Sequence, residues 1–436
     1  MNLQAPVVGS APRYYGWTLV VALGVITVVV YGTVQYSIGV LVVPVGRELG
    51  WSRTEIALGF SIALVVAGLL GYPIGRWVDR HGARAAIAVG TVIGGTSLLL
   101  LSFVTELWQW DLLWGGGIGL AGALTLYPVT FTVVANWFHR RRGAAMALLT
   151  VIGGLASPIF IPLAGWLIAH AGWRETLVIF GCLQLGIALP AALIFVRRHP
   201  EDVGLFPDGA ATHDKDASSP LSGVVARQAM RTVPFWTLTV SQVVTMMGAN
   251  ALFTHQIAYM IGRGQGSETA AAIAGAVGLA SLPGRYVFNA LSDRFPAQRL
   301  LGIAHAVMSA GVAVLALASS TTLLLLYVVV YGAAFGASSP LTALVRAEHF
   351  GRRAFGAITA IQGIPALAGA AAGPLAAGWI YDRSGSYDQA LAGVAVLYAT
   401  SAAAMLLTPK ARRAARVDPA GIAPGASVDA RSPESG

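Results

Sequence analysis

Apolar residues fill this chain in blocks of about 20, separated by short clusters of charge, glycine and proline. Twelve blocks stand at about 17–45, 54–77, 84–104, 110–137, 143–169, 175–196, 234–261, 269–292, 299–318, 322–347, 354–381 and 388–408. A block of this length crosses the ~30 Å hydrocarbon core of a bilayer as one helix. Those running past 25 residues are expected to tilt, or to bend at Gly or Pro. The pattern predicts an all-α membrane protein with twelve transmembrane helices.

The largest polar break divides the blocks into two sets of six. The expected organisation is a tail at 1–14, a six-helix half at 15–197, a central loop at 198–232, a second half at 233–408 and a disordered tail at 409–436. The halves echo each other at an offset of about 213 residues. GRWVDRHGAR (75–84) answers NALSDRFPAQR (289–299), ANWFHRRRG (135–143) answers AEHFGRRAFG (347–356), and PLAGW (162–166) answers PLAAGW (374–379). Three matches in one order mark a duplicated unit, which implies a pseudo-twofold axis along the membrane normal and a cavity between the halves.

Composition agrees: 56% of residues are hydrophobic and 11% charged, against about 25% charged in soluble domains. A net charge of +9 raises the question of nucleic acid, but its distribution answers against that partner. With the N-terminus inside, five basic residues (Arg47, Arg53, Arg174, Arg263 and Arg383) fall outside, Arg285 falls within a block, and the other 22 of 28 lie on the cytoplasmic side. That asymmetry is the positive-inside pattern and places both termini in the cytoplasm. Short loops and tails suggest a bacterial chain, hence the inner membrane, with the lipid bilayer as surroundings and a monomer as the expected state. Cys182 stands alone, so neither an intramolecular disulfide nor a cysteine metal site is expected. The first block is too long for the core of a cleaved leader. GIGLAG (117–122) formally matches a dinucleotide loop, but it lies inside a membrane block and reads as small-residue helix packing. No cofactor is expected.

Arg285 carries the most chemical information. It is read as the one charged side chain deep inside a block, eight residues before Asp293 and about 12 Å from it along a helix. A charge at the bilayer centre costs ~2.5–3.5 kcal/mol on insertion scales and persists where it has a partner or a task. No carboxylate stands near it in sequence. A guanidinium fork meets a carboxylate with two parallel hydrogen bonds, so a small organic anion is the expected partner.

The loop with Gly75, Asp79, Arg80, Gly82 and Arg84, echoed at Asp293, Arg294 and Arg299, resembles the signature loop of the major facilitator superfamily. Within it, YGW (15–17), GRELGWSRTEIALGFS (46–61), NWFHRRRGAAMAL (136–148) and HPEDVGLFPDG (199–209) resemble the monocarboxylate transporters and the oxalate/formate exchangers. The resemblance implies a secondary carrier working by alternating access. Asp79, Arg80, Arg84, Asp293 and Arg294 would latch the halves at the cytoplasmic end, and Arg285 would stand at the family's span 8 arginine. It also marks departures. Animal-type carriers have a Lys in span 1, where this chain offers Tyr31, Gln35 and Tyr36, and an Asp one turn before the arginine, where it has Ser281. Many proton-coupled members have an Arg in span 4, near Leu113 here. Oxalate exchangers have a cation in span 11, where this chain has Gln362.

Tyr127 and Tyr331 sit at mid-span in helices expected to line the cavity, with an apolar face and a hydroxyl for a short-chain acid. Phe335, one turn beyond Tyr331, would narrow the pocket. Asn250 and His255 come from span 7, and His255 is open to three roles: substrate contact, proton carriage or packing. His170 and His305 read as boundary or packing residues.

The resulting expectation is a carrier of monocarboxylates of the lactate or pyruvate kind, with protons or a counter-anion as the coupled species. Its rivals are an exporter of amphipathic compounds and a membrane sensor with a carrier-like fold. No catalytic constellation points to an enzyme.

Overall fold

The computed structural model describes residues 14–138, 141–209, 223–292, 294–351 and 354–408. Both chain tails and residues 210–222 of the central loop lie outside them. Among the described residues there is no strand, only an isolated bridge between Gly223 and Gly351. Six long helices make the N-terminal half: α1 (Tyr15–Leu49), α2 (Arg53–Val78), α3 (Ala83–Leu101), α4 (Leu107–Trp137), α5 (Gly143–Ala171) and α6 (Trp173–Phe195). The other half holds α7 (Val233–Gly262), then α8 (Ser267–Ser292), α9 (Ala297–Ala316), α10 (Thr321–Phe350), α11 (Phe355–Ser384) and α12 (Asp388–Leu407). Eleven are long and apolar enough to cross a membrane. The exception, α7, has 30 residues but carries Ser241, Gln242, Asn250, His255 and Gln256.

Asn250 apart, the polar groups of α7 are consumed in holding the C-terminal half together, as expected where apolar surface gives no drive for helices to associate. Ser241 bonds Ser401 of α12 at 2.7 Å, Thr245 meets His305 of α9 at 3.2 Å, and Gln256 accepts from Tyr327 of α10 at 2.5 Å. Glycines of GIGLAG behave as expected: Gly117 faces Ser97 of α3 and Gly119 the backbone of Ala63 on α2. Between α2 and α3 the chain turns at Gly82, whose φ of 86° lies in the region that side chains rarely adopt.

Several helices depart from regular α geometry. A π turn occupies Tyr31–Gln35 in α1 and another Asp111–Ile118 in α4. At Leu126 the backbone of α4 becomes extended, and a new helix starts at Tyr127 with Pro128 in its first turn.

The halves meet along three helix pairs: α1 with α7, α2 with α11, and α5 with α8. Contacts begin at the end holding Arg53, Arg174 and Arg263. From there they run inward to Gln35–Asn250 on the first pair, Gly68–Leu367 on the second and Gly154–Leu282 on the third. Beyond this level the halves part. Any side chain added at Gly71 or Gly75 of α2 would meet open space, and Tyr72, Tyr286 and Ile364 are more than 70% exposed. A cavity of about 260 Å³, lined by Tyr31, Leu64, Gly68, Leu126, Pro128 and Leu367 among others, opens there. The protein is thus closed at one end and open at the end that carries Arg80, Arg84, Arg198 and Arg294.

Candidate functional site

Three local irregularities converge beneath the closed end. The π turn of α1 closes with the Tyr36 amide donating to the Tyr31 carbonyl at 3.1 Å. Its wider turn brings residues five apart onto one face, so Tyr31 and Tyr36 look the same way; such turns are frequent at functional sites. The Tyr31 ring packs on Tyr127 of α4 with centroids 5.0 Å apart, and Tyr36 meets Phe253 of α7 edge-on at 5.7 Å.

The second irregularity is the break in α4. The helix Tyr127–Trp137 begins within the membrane, and Pro128 suits a first turn because its missing N–H would find no intrahelical acceptor there. A helix N-terminus carries a partial positive charge, and irregular backbone at membrane depth is tolerated where it lines a cavity.

The third is Arg285. Along α8, Ala271, Gly275, Gly278 and Leu282 form a seam that packs on Gly165, Pro162, Ser157 and Gly154 of α5. Their spacing of three and four residues is that of one helix face, and position 285 is the next step on it. The seam that carries small and apolar residues where the halves touch therefore carries a guanidinium where they part. Gly284 and Gly336 bring α8 against α10 backbone to backbone, which fixes this orientation. Arg285 is half-buried, and its Nε has no hydrogen-bond partner.

Other sequence-selected residues fall into three groups. Gln35 and Asn250 join the halves where α1 meets α7, the Gln35 amide donating to Asn250 at 3.4 Å. Phe335 stands behind Phe253, with rings 5.2 Å apart. Tyr331, His255 and Gln362 are instead turned into the C-terminal half. The Tyr331 hydroxyl meets that of Tyr398 at 3.2 Å. His255 donates from Nε2 to the Pro374 carbonyl at 2.9 Å, which leaves Nδ1 to accept from Tyr387 at 3.0 Å. Gln362 donates to the Phe235 carbonyl at 3.1 Å and accepts from Arg346 at 2.9 Å.

Arg346 corrects the expectation that Arg285 is the one charge inside a span. Position 346 stands at the cytoplasmic end of the block 322–347 and is counted with the cytoplasmic basic residues, but α10 continues to Phe350 and buries the side chain to 4% exposure. Its NH2 group reaches Gln242 at 3.1 Å, and the guanidinium lies over the Phe355 ring at 5.5 Å. No local pattern marks this, since both amides come from other helices. Of the latch residues, Arg80, Arg84 and Arg294 are exposed at the open end; the side chain of Asp79 and all of Asp293 lie outside the described residues.

The comparisons with known proteins agree with this architecture. The Major Facilitator Superfamily profile matches residues 24–362 and 266–430. The bovine (Bos taurus) monocarboxylate transporter 13 is 26% identical over 377 residues, covering 86% of this chain and 84% of the relative. Rat (Rattus norvegicus) monocarboxylate transporter 12 is 26% identical over 419 residues, with 88% and 84% covered. Among solved structures, a bacterial homologue of the human lysosomal transporter Spinster, in an inward-facing and occupied conformation, superposes with a TM-score of 0.72. It is 16% identical and covers 92% of this chain and 97% of its own. The nucleoside transporter NupG gives 0.71 at 14% identity, with 90% and 99% covered. A duplicated six-helix unit, a cavity at the junction of its copies and a profile match along most of the sequence lead to one assignment: the chain belongs to the Major Facilitator Superfamily.

Proposed function

We propose that this transporter carries small organic monocarboxylates, with Arg285 as the carboxylate anchor. The observation that carries this reading is a half-buried guanidinium with an unpartnered Nε, one turn past the last contact of the α5–α8 seam, at the level where the halves part. An anion seated on Arg285 would also face the N-terminus of the helix begun at Tyr127, so fixed positive charge from both halves would hold it. Tyr31, Tyr36 and Tyr127 offer aromatic faces to a short carbon chain and hydroxyls to its polar end. The 26% identity to monocarboxylate transporters 12 and 13 over most of their length supports the same class. The basic end faces the cytoplasm by the positive-inside pattern, which makes the present conformation inward-open, with bilayer placement in the inner membrane.

The site favours exchange. Closing the cavity on an empty Arg285 would bury an uncompensated cation, which costs several kcal/mol. A bound anion removes that cost, so the loaded carrier reorients faster than the empty one. His255 has both ring nitrogens engaged inside its own half, which argues against it as the carrier of a coupled proton.

The test is uptake of labelled mono- and dicarboxylates into proteoliposomes by wild type and Arg285→Gln, with and without unlabelled anion inside and with and without an inward proton gradient. Saturable monocarboxylate uptake, accelerated by anion on the far side and lost in the variant, is the expected result. Uptake equal in both proteins would overturn the anchor. A proton gradient that outperforms internal anion would overturn exchange.

A further inference from the structure

At the closed end, one carboxylate of the C-terminal half caps a helix of the N-terminal half. The Arg53 amide donates to Asp382 Oδ1 at 3.0 Å, and the Thr54 amide donates to Oδ2 at 2.9 Å. The Thr54 hydroxyl reaches the same Oδ2 at 2.5 Å. The rest of the first turn of α2 is satisfied internally: Ser52 Oγ accepts from the Glu55 amide at 3.2 Å, and Glu55 accepts from the Ser52 amide at 2.7 Å. The first amides of a helix have no intrahelical acceptors. Here two of them are supplied from the other half, 329 and 328 residues away in sequence.

The surrounding contacts fix this approach. Gly378, one turn before Asp382, faces the backbone of Arg53 and Thr54, where a side chain would come within about 3.0 Å of the Thr54 amide. Arg53 donates to the Val42 carbonyl of α1 at 2.5 Å and lies over the Tyr381 ring at 5.5 Å. Two turns deeper, Ser61 donates to the Ala371 carbonyl at 2.7 Å. Asp382 and the capped amides are exposed enough to meet water once α2 and α11 separate.

We infer that Asp382 and the α2 N-terminus form a state-selective latch. A carboxylate at a helix N-terminus gains charge-assisted hydrogen bonds and a favourable dipole. These contacts exist only while this end is closed, because Asp382 and the amides ride on halves that must part for the cavity to open on this side. The latch therefore biases the carrier toward the conformation open at the basic end and sets how readily it turns. It leaves the anion site untouched, since Asp382 lies on the far side of the cavity roof.

The experiment measures the width of this end in the full-length protein in nanodiscs. Cys182 is replaced by Ser, and spin labels are placed at Thr105 and Ser267, exposed positions of opposite halves. Pulsed electron–electron resonance then gives the populations of short and long distances. Asp382→Ala should lower the closed-to-open ratio roughly two- to thirtyfold, the range expected for losing a helix cap. Asp382→Asn, which keeps the shape but loses the charge and one acceptor, should shift it less, and Thr54→Val less again. Arg383→Gln serves as control, because that side chain stacks on Trp379 at 4.3 Å and takes no part in the cap. An unchanged distribution in Asp382→Ala overturns the latch, as does an equal shift in Arg383→Gln. Should Asp382→Ala fail to fold, unchanged distances in both Asp382→Asn and Thr54→Val overturn it.

Discussion

Arg285 and Arg346 are the same side chain in the same half, both within membrane helices and neither in an ion pair among the described residues. Their surroundings differ completely. Arg346 is sealed between Gln242, Gln362 and the Phe355 ring. Two neutral amides and an aromatic face spread its charge without a carboxylate, and the three groups tie α7, α10 and α11 together. Arg285 stands on the seam between halves, at the level where the seam opens, with Nε unpartnered. A buried cation whose donors are used is a packing element. One with a spare donor, at the level where the halves part, is ready for an anion. Charge and depth are shared by both; partner supply separates them.

The comparison breaks first, and hardest, at Arg285. Replacing it with Gln should weaken a bound carboxylate by ~2–5 kcal/mol, roughly 30- to several-thousand-fold in affinity. Thermal stability should barely fall, because no protein group loses a partner. Substrate affinity by equilibrium binding, set beside a melting curve, separates the two quantities. A variant that loses its fold along with its binding would make Arg285 another Arg346.

The reverse pattern is expected at Arg346. Gln362→Leu removes the acceptor of Arg346 Nε and the donor to the Phe235 carbonyl together. It should destabilise the C-terminal half by about 2–4 kcal/mol, with substrate affinity in the surviving protein close to wild type. A clear drop in melting temperature at unchanged affinity is the expected reading. Lost affinity at unchanged melting temperature would return Gln362 to the binding surface.

These outcomes also show why sequence sees one half of the comparison. Twelve apolar blocks reach the right helix count because length and hydropathy are local properties. Arg285 stands out for the same reason, as a charge in the middle of a block. Arg346 does not, because it stands at the very end of its block and its burial depends on amides from α7 and α11, 104 and 16 residues away. His255 looks equally fit for proton work and for packing until Pro374 and Tyr387 come to its two nitrogens. The π turn at Tyr31 and the break at Leu126 are small changes of backbone register within apolar runs. Composition hides both, and both shape the site. Asp382 reads as one more acid at a helix end, since nothing near it in sequence announces α2 as its partner.

A gentler contrast lies between two tyrosines that the sequence treats alike. Tyr127 packs on Tyr31, a residue of the cavity wall, and sits between Leu126 and Pro128, which also line it. Tyr127→Phe should remove one hydrogen bond to the carried anion and raise KM roughly two- to tenfold, with little change in melting temperature. An unchanged KM would restrict Tyr127 to shaping the wall with its ring.

Tyr331 should show the smallest effect of all. It is 1% exposed, with its ring between Tyr327 and Phe335 at centroid distances of 5.4 and 5.9 Å, and it presses on Gly311 of α9. Its hydroxyl has one partner, Tyr398, at 3.2 Å. Tyr331→Phe keeps the ring and leaves only the Tyr398 hydroxyl short of a contact, so the cost is that of one neutral hydrogen bond, about 0.5–1.5 kcal/mol. That should appear as a slight fall in melting temperature with KM unchanged. Had Tyr331 faced the anion, the same substitution would raise KM and leave the melting curve alone. The two measurements on one conservative change therefore decide which side of α10 meets the substrate.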